Sequence, residues 1–99
     1  MATAEITVLP IGREGASVGD VITDIRQRLE AQDRVAFRMG GMGTELEGDI
    51  EDILAICAQL HAVPLQSGFP RAYTVIKVDQ RIDREQSLSD KIDSVERRL

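Results

Sequence analysis

An α+β sandwich in the order βαββαβ, closed by an extra C-terminal helix, is the fold this chain predicts. Three observations lead to it. Apolar residues switch between periods of about 2 and about 3.6 residues in that order. The switches fall at capping residues, a glycine cluster and a proline. After the last strand, Leu88, Ile92, Val95 and Leu99 recur at +4, +3 and +4, a heptad-like seam that the sandwich itself does not need.

The first strand runs from Thr3 to Ile11, with Ala4, Ile6 and Val8 on one face and Glu5, Thr7 and Leu9 on the other. Ser17 is a good N-cap for the helix that follows, with Asp20 three residues on in the manner of a capping box. Val18, Val21, Ile22, Ile25 and Leu29 form one helical stripe. Arg34 to Met39 and Gly43 to Glu47 read as a strand pair turned by the glycines at 40, 41 and 43.

Asp49 then caps a second helix, with Asp52 at the reciprocal position and Ile50, Ile53, Leu54, Cys57 and Leu60 facing inward. A proline inside a helix removes a backbone hydrogen bond at a cost of ~3 kcal/mol, so Pro64 is expected to end the regular helix near His61 or Ala62. Ala72 to Val78 is the fourth strand, with Ala72, Thr74, Ile76 and Val78 opposite Tyr73, Val75 and Lys77. Right-handed crossovers put both helices on one face of the sheet. The other face carries Leu9, Tyr73 and Val75 and needs cover. Ser87 caps the final helix, whose seam is either folded back on its own domain or given to a neighbour.

Composition narrows the function classes. The 99 residues suffice for one core, so residues 1–99 are read as a single domain, and 42% hydrophobic with 29% charged residues is ordinary for a globular protein. A net charge of −5 opposes binding to phosphate polymers, which reward Lys and Arg. The lone Cys57 cannot form an internal disulfide. The most apolar run, Ile53 to Leu65, falls well short of the ~20 residues that span a bilayer, and the first residues lack the pattern of a secretory leader. The expectation is a cytoplasmic protein with neither nucleic acid nor membrane as partner.

Few constellations carry chemistry. The glycines of Met39 to Gly43 lie between two strands rather than between a strand and a helix start, so they are read as a hairpin needing positive φ, or as a place where a ligand approaches bare backbone. Cys57 and His61 have a metal-compatible spacing, yet two ligands are too few for a zinc site and no second Cys or His exists. Glu45 and Glu47 share one face of the third strand, available to a ligand amine, to a partner's Arg, or simply to solvent. An acylphosphatase has the same element order, but needs an Asn to position water, and this chain has none. An RNA-recognition domain needs stacking aromatics, and Phe37, Phe69 and Tyr73 are the only three here. No nucleophile and base pair can be named, so the chain is not read as an enzyme.

The run Gly40-Gly41-Met42-Gly43-Thr44, followed by apolar Leu46 and Glu47-Gly48, resembles the motif of the thiamine-binding protein family with the YkoF-like variant of the ferredoxin-like fold. Ser17-Val18 and Lys77-Val78-Asp79 with Arg81, Asp83 and Arg84 match it too. Gly41 stands at the family's proline position, and Glu45 where an apolar residue is common. The resemblance spans about Ala4 to Glu96. It implies a domain that pairs into dimers or a homotetramer and binds thiamine or its hydroxymethylpyrimidine half, with no other cofactor and no metal. By residue type, Thr7, Ser17, Thr44 and Glu47 suit the aminopyrimidine, while Glu45 and Tyr73 suit the cationic thiazolium. Two functions stand side by side: a soluble carrier or sensor of such a heterocycle, and an oligomeric scaffold whose pocket is unused.

Overall fold

The computed structural model describes residues 1–13 and 18–99. The elements are β1 (Ala2–Ile11), α1 (Val18–Glu30), β2 (Ala36–Met39), β3 (Thr44–Gly48), α2 (Ile50–Gln66), β4 (Arg71–Gln80) and α3 (Leu88–Glu96). The expected ferredoxin-like order is present, with the extra helix at its end. Ser17, expected as the cap of α1, lies outside the described residues.

The sheet is antiparallel in the order β2-β3-β1-β4. β1 pairs with β4 along its whole length, from Ala2 opposite Gln80 to Ile11 opposite Arg71, and its first half also pairs with β3. Strand alternation then sorts the residues. Ala2, Ala4 and Ile6 of β1 join Leu46 of β3 under the helices, and all are buried. Val21, Ile25 and Leu29 of α1 and Ile53, Ile56, Cys57, Leu60 and Val63 of α2 close this core from above.

The helical stripes keep Val21, Ile25 and Leu29 of α1 and Ile53, Cys57 and Leu60 of α2 as expected, and differ only at their edges. Val18, Ile22 and Leu54 are about half exposed, while Ile56 and Val63 are buried. α2 passes through Pro64 to Gln66 instead of stopping at His61 or Ala62. The reason is position: Pro64 lies in the last turn, where Val63 and Pro64 are themselves packed in the core. The freed helix end is closed by Ser67 N–H donating to the Val63 carbonyl at 3.0 Å and Phe69 N–H donating to the Pro64 carbonyl at 3.0 Å.

Asp49 occupies the N-cap position with extended backbone, but its carboxylate makes no capping hydrogen bond. Its contribution reduces to a favourable charge at the positive helix end. Asp52 is turned away from the cap toward Arg34, at 3.7 Å. In α3, by contrast, Ser87 and Asp90 form a complete reciprocal capping box, each bond 3.0 Å.

The β2–β3 turn corrects another expectation. None of Gly40, Gly41 and Gly43 has positive φ; the turn is held by Gly40 N–H donating to the Gly43 carbonyl at 2.8 Å. What requires glycine at 43 is space. A Cβ there would stand 2.8 Å from Thr7 Oγ1 and 3.1 Å from the Ile6 carbonyl. Gly43→Ala should therefore force the hairpin away from β1 and lower stability by about 1–3 kcal/mol, read as a shift in the denaturant midpoint. An unchanged midpoint would show that the close approach imposes no constraint.

Candidate functional site

The face of the sheet away from α1 and α2 holds the candidate site. Register brings four charged side chains into one row across it: Arg38 opposite Glu45, Glu45 opposite Glu5, and Glu5 opposite Lys77. Lys77 pairs with Glu5 at 3.2 Å. Among the described residues, neither Glu45 nor Glu47 has an ion pair. Like charges set directly opposite on neighbouring strands are destabilising. The Glu5–Glu45 pairing is thus a local conflict that a bound cation would relieve.

Helix α3 lies across this charged half of the face. Lys91 forms an ion pair with Asp79, and Leu88 lines the groove between the helix and the strands. One cavity of about 250 Å³ is lined by Thr3, Glu5, Glu45, Lys77, Asp79, Leu88 and Lys91. A second, of about 130 Å³, is lined by Phe37, Arg38, Glu45, Glu47, Leu88 and Ile92. Glu45 and Leu88 border both. The remaining half of the face is apolar and exposed, with Leu9, Tyr73 and Val75 each about half accessible.

The expected site residues separate on this frame. Glu45 and Glu47 come together in the groove under α3. Thr7 shares their face but lies further along β1, its hydroxyl donating to the Met42 carbonyl at 3.0 Å. Tyr73 is on the same face in the apolar half, opposite Leu9. Thr44 is on the other side of the sheet: it pairs with Ile6 and is 7% exposed on the helix-covered face. Ser17 lies outside the described residues. Glu5, Arg38, Lys77 and Asp79 complete the groove; none was given a site role from sequence, although Lys77 and Asp79 belong to the run that carries the family resemblance. The alternation of β1 already put Glu5 with Thr7, but only the register sets it against Glu45.

Cys57 and His61 lie on the helix side of the sheet, away from the groove. Burial pushes the Cys57 thiol up, away from the reactive thiolate. His61 Nδ1 is held by Thr74 Oγ1 at 2.6 Å on the helix side. Among the described residues no cluster of three or more His, Cys, Asp and Glu could hold a metal. The segment before α3 is fixed by Arg81 gripping both oxygens of Asp83, at 2.9 and 2.5 Å. That hydrogen bonding holds the Asp83 carboxyl down to about 2. Bonds from Ser87 likewise keep Asp90 below the ordinary carboxylate range. No described helix is long and apolar enough to cross a membrane.

Similarity to known proteins covers almost the whole chain. The UPF0045 protein YqgV of Bacillus subtilis is 35% identical, with 100% of this chain and 98% of that protein aligned. A UPF0045 protein of Methanothermobacter thermautotrophicus is 34% identical over the full length of both. The crystal structure of the hypothetical protein MJ1052 from Methanocaldococcus jannaschii superposes with a TM-score of 0.83 at 28% identity, covering 96% of this chain and 95% of that one. Residues 4–96 match the family model described as thiamine-binding protein, and the chain belongs to that family.

Proposed function

We propose that the protein binds thiamine or its hydroxymethylpyrimidine half, without turnover, in the groove between the charged row of the sheet and α3. The observation that carries this reading is the Glu5–Glu45 pair with Glu47 beside it, an excess of carboxylate facing a cavity in a chain of the thiamine-binding family. A thiazolium cation relieves the repulsion between the two carboxylates, and the exocyclic amine of the pyrimidine donates to a carboxylate such as Glu47. Thr7 and Tyr73 flank the groove on the same face. Thr44 acts in this reading through packing, because its side chain lies beneath the sheet.

Isothermal titration with thiamine, hydroxymethylpyrimidine and thiamine phosphate tests the proposal. Removing a hydrogen-bonded charge is expected to weaken binding by ~1–3 kcal/mol, so Glu45→Gln and Glu47→Gln should each raise Kd about tenfold or more. Thr44→Ala should alter stability and leave Kd nearly unchanged. No heat from wild type at millimolar thiamine or hydroxymethylpyrimidine would remove the binding reading and leave the scaffold.

We further propose self-association, as a dimer or homotetramer. Leu9, Tyr73 and Val75 on the sheet and Ile92, Val95 and Leu99 on and after α3 are all exposed. Together they offer a monomer more wet apolar surface than its size favours. Sedimentation at micromolar concentration should give a species of at least twice 10.9 kDa, and a single species at 10.9 kDa would refute the assembly.

A further inference from the structure

We infer that a second copy of the chain docks antiparallel on the free edge of β4, so that Arg71 of each copy faces Asp79 of the other and two sheets become one. The inference deepens the self-association reading and rests on it. The two edges of the sheet differ in kind. β2 is a strand of four residues, whereas β4 runs for ten, from Arg71 to Gln80, each opposite a residue of β1. Among the described residues β4 pairs with β1 alone. Proteins protect sheet edges by keeping them short, by bulges, by proline, by exposed lysine or by a covering element. β4 has no bulge against β1 and no proline, and its one lysine, Lys77, is drawn to Glu5 on the neighbouring strand.

The apolar side chains of β4 are wet on both faces. Tyr73 and Val75 are about half exposed on the groove side. On the helix side Ile76 and Val78 are 41% and 44% exposed, although Ile6 and Ala4 opposite them on β1 are buried. A partner laid on one face would leave the other wet, whereas a strand added at the edge extends both. β4 is complementary to itself. With Val75 opposite Val75, an antiparallel copy sets Arg71 against Asp79 and Tyr73 against Lys77 on the groove side, and Ala72 against Val78 and Thr74 against Ile76 on the other. Arg71 has no ion pair among the described residues, and Lys91 takes one oxygen of Asp79, so both members of the new pair are available. Sliding the copy by two residues sets Arg71 against Lys77 in one direction and against Arg81 in the other, and like charges directly opposite destabilise a strand pair. The contact is two-fold and closes on itself. It also completes the groove: Lys77 and Asp79 line the cavity of about 250 Å³, and this register brings the partner's Tyr73 and the partner's Arg71 to its rim.

Paired strands bring directly opposed Cα atoms to about 4.5–5.5 Å, within reach of a disulfide, while diagonal neighbours stand ~7–8 Å apart and beyond it. Single cysteines in the full chain therefore read both the contact and its register, and no ligand is needed. Under copper–phenanthroline oxidation, Val75→Cys should link to its own counterpart about a hundredfold faster than Ala36→Cys on the β2 edge, which meets its counterpart only by collision at micromolar protein. Tyr73→Cys and Lys77→Cys should each stay unlinked alone and link to one another when the two chains are coexpressed. The buried Cys57 should take no part. Val75→Lys puts like charges on the two-fold axis and should at least halve the sedimenting mass.

If Val75→Cys links no faster than Ala36→Cys while the wild type sediments as a dimer or tetramer, this contact is overturned and self-association stands. A wild type at 10.9 kDa removes both. Fast linking of Tyr73→Cys or Lys77→Cys alone would overturn the register. Should the variants fail to fold, amide exchange of the wild type decides: successive β4 amides should all exchange slowly, whereas a free edge leaves every second one fast. That alternation in the wild type would overturn the inference. None of these measurements involves thiamine, so the binding reading stands or falls separately.

Discussion

Every feature of this molecule depends on the register of β1. Like β3 it has a neighbour on each side, but it is the long central strand that joins β4 along its whole length to β3, and its alternation assigns both faces of the sheet at once. Ala2, Ala4 and Ile6 go under the helices, where the two alanines let α2 approach the sheet closely. Thr3, Glu5, Thr7 and Leu9 go to the other side. A slip of one residue would bury Glu5 and expose Ile6, reversing core and site together. Core and site are therefore the two faces of one pairing.

That pairing carries a conflict within it. Hydrophobic burial on the helix side fixes Glu5 against Glu45, although like charges in that position repel. Lys77 answers Glu5, and Lys91 answers Asp79 from α3, leaving Glu45 and Glu47 without an ion-pair partner among the described residues. Stability invested in the core thus holds a destabilised, acidic surface in place, an arrangement typical of binding sites. α3 lies over that surface without a buried residue of its own, so the cover is weaker than what it covers.

Much of this was legible in the sequence, because periodicity reports faces directly. The order of elements, the extra helix and the assignment of Glu45 and Glu47 to one face all follow from spacing. What spacing could not supply was register. Thr44 looked like a partner of Glu47, yet three residues along a strand separate opposite faces, and Thr44 pairs with Ile6 in the core. Glu5 was passed over because its meaning lies in Glu45 and Lys77, which are distant in sequence. Pro64 misled for a different reason: propensity assumes an interior helical position, and tertiary packing of Val63 and Pro64 carries the helix one turn further. Of the hairpin glycines, Gly43 is required, for clearance from Thr7 rather than for its φ, whereas Gly41 has open space where a side chain would go and no positive φ.

The central claim is that β1 divides a structural face from a binding face. Amide and methyl chemical-shift mapping during a titration with thiamine tests it most directly, since it reports which side of the sheet a ligand touches without altering the chain. The account predicts that the perturbed residues are Glu5, Glu45, Glu47 and Lys77 with Leu88 and Lys91 of α3, while the methyls of Val21, Ile25, Ile53 and Leu60 stay in place. Perturbations centred on Thr44 and the facing helices, with the charged row silent, would contradict it.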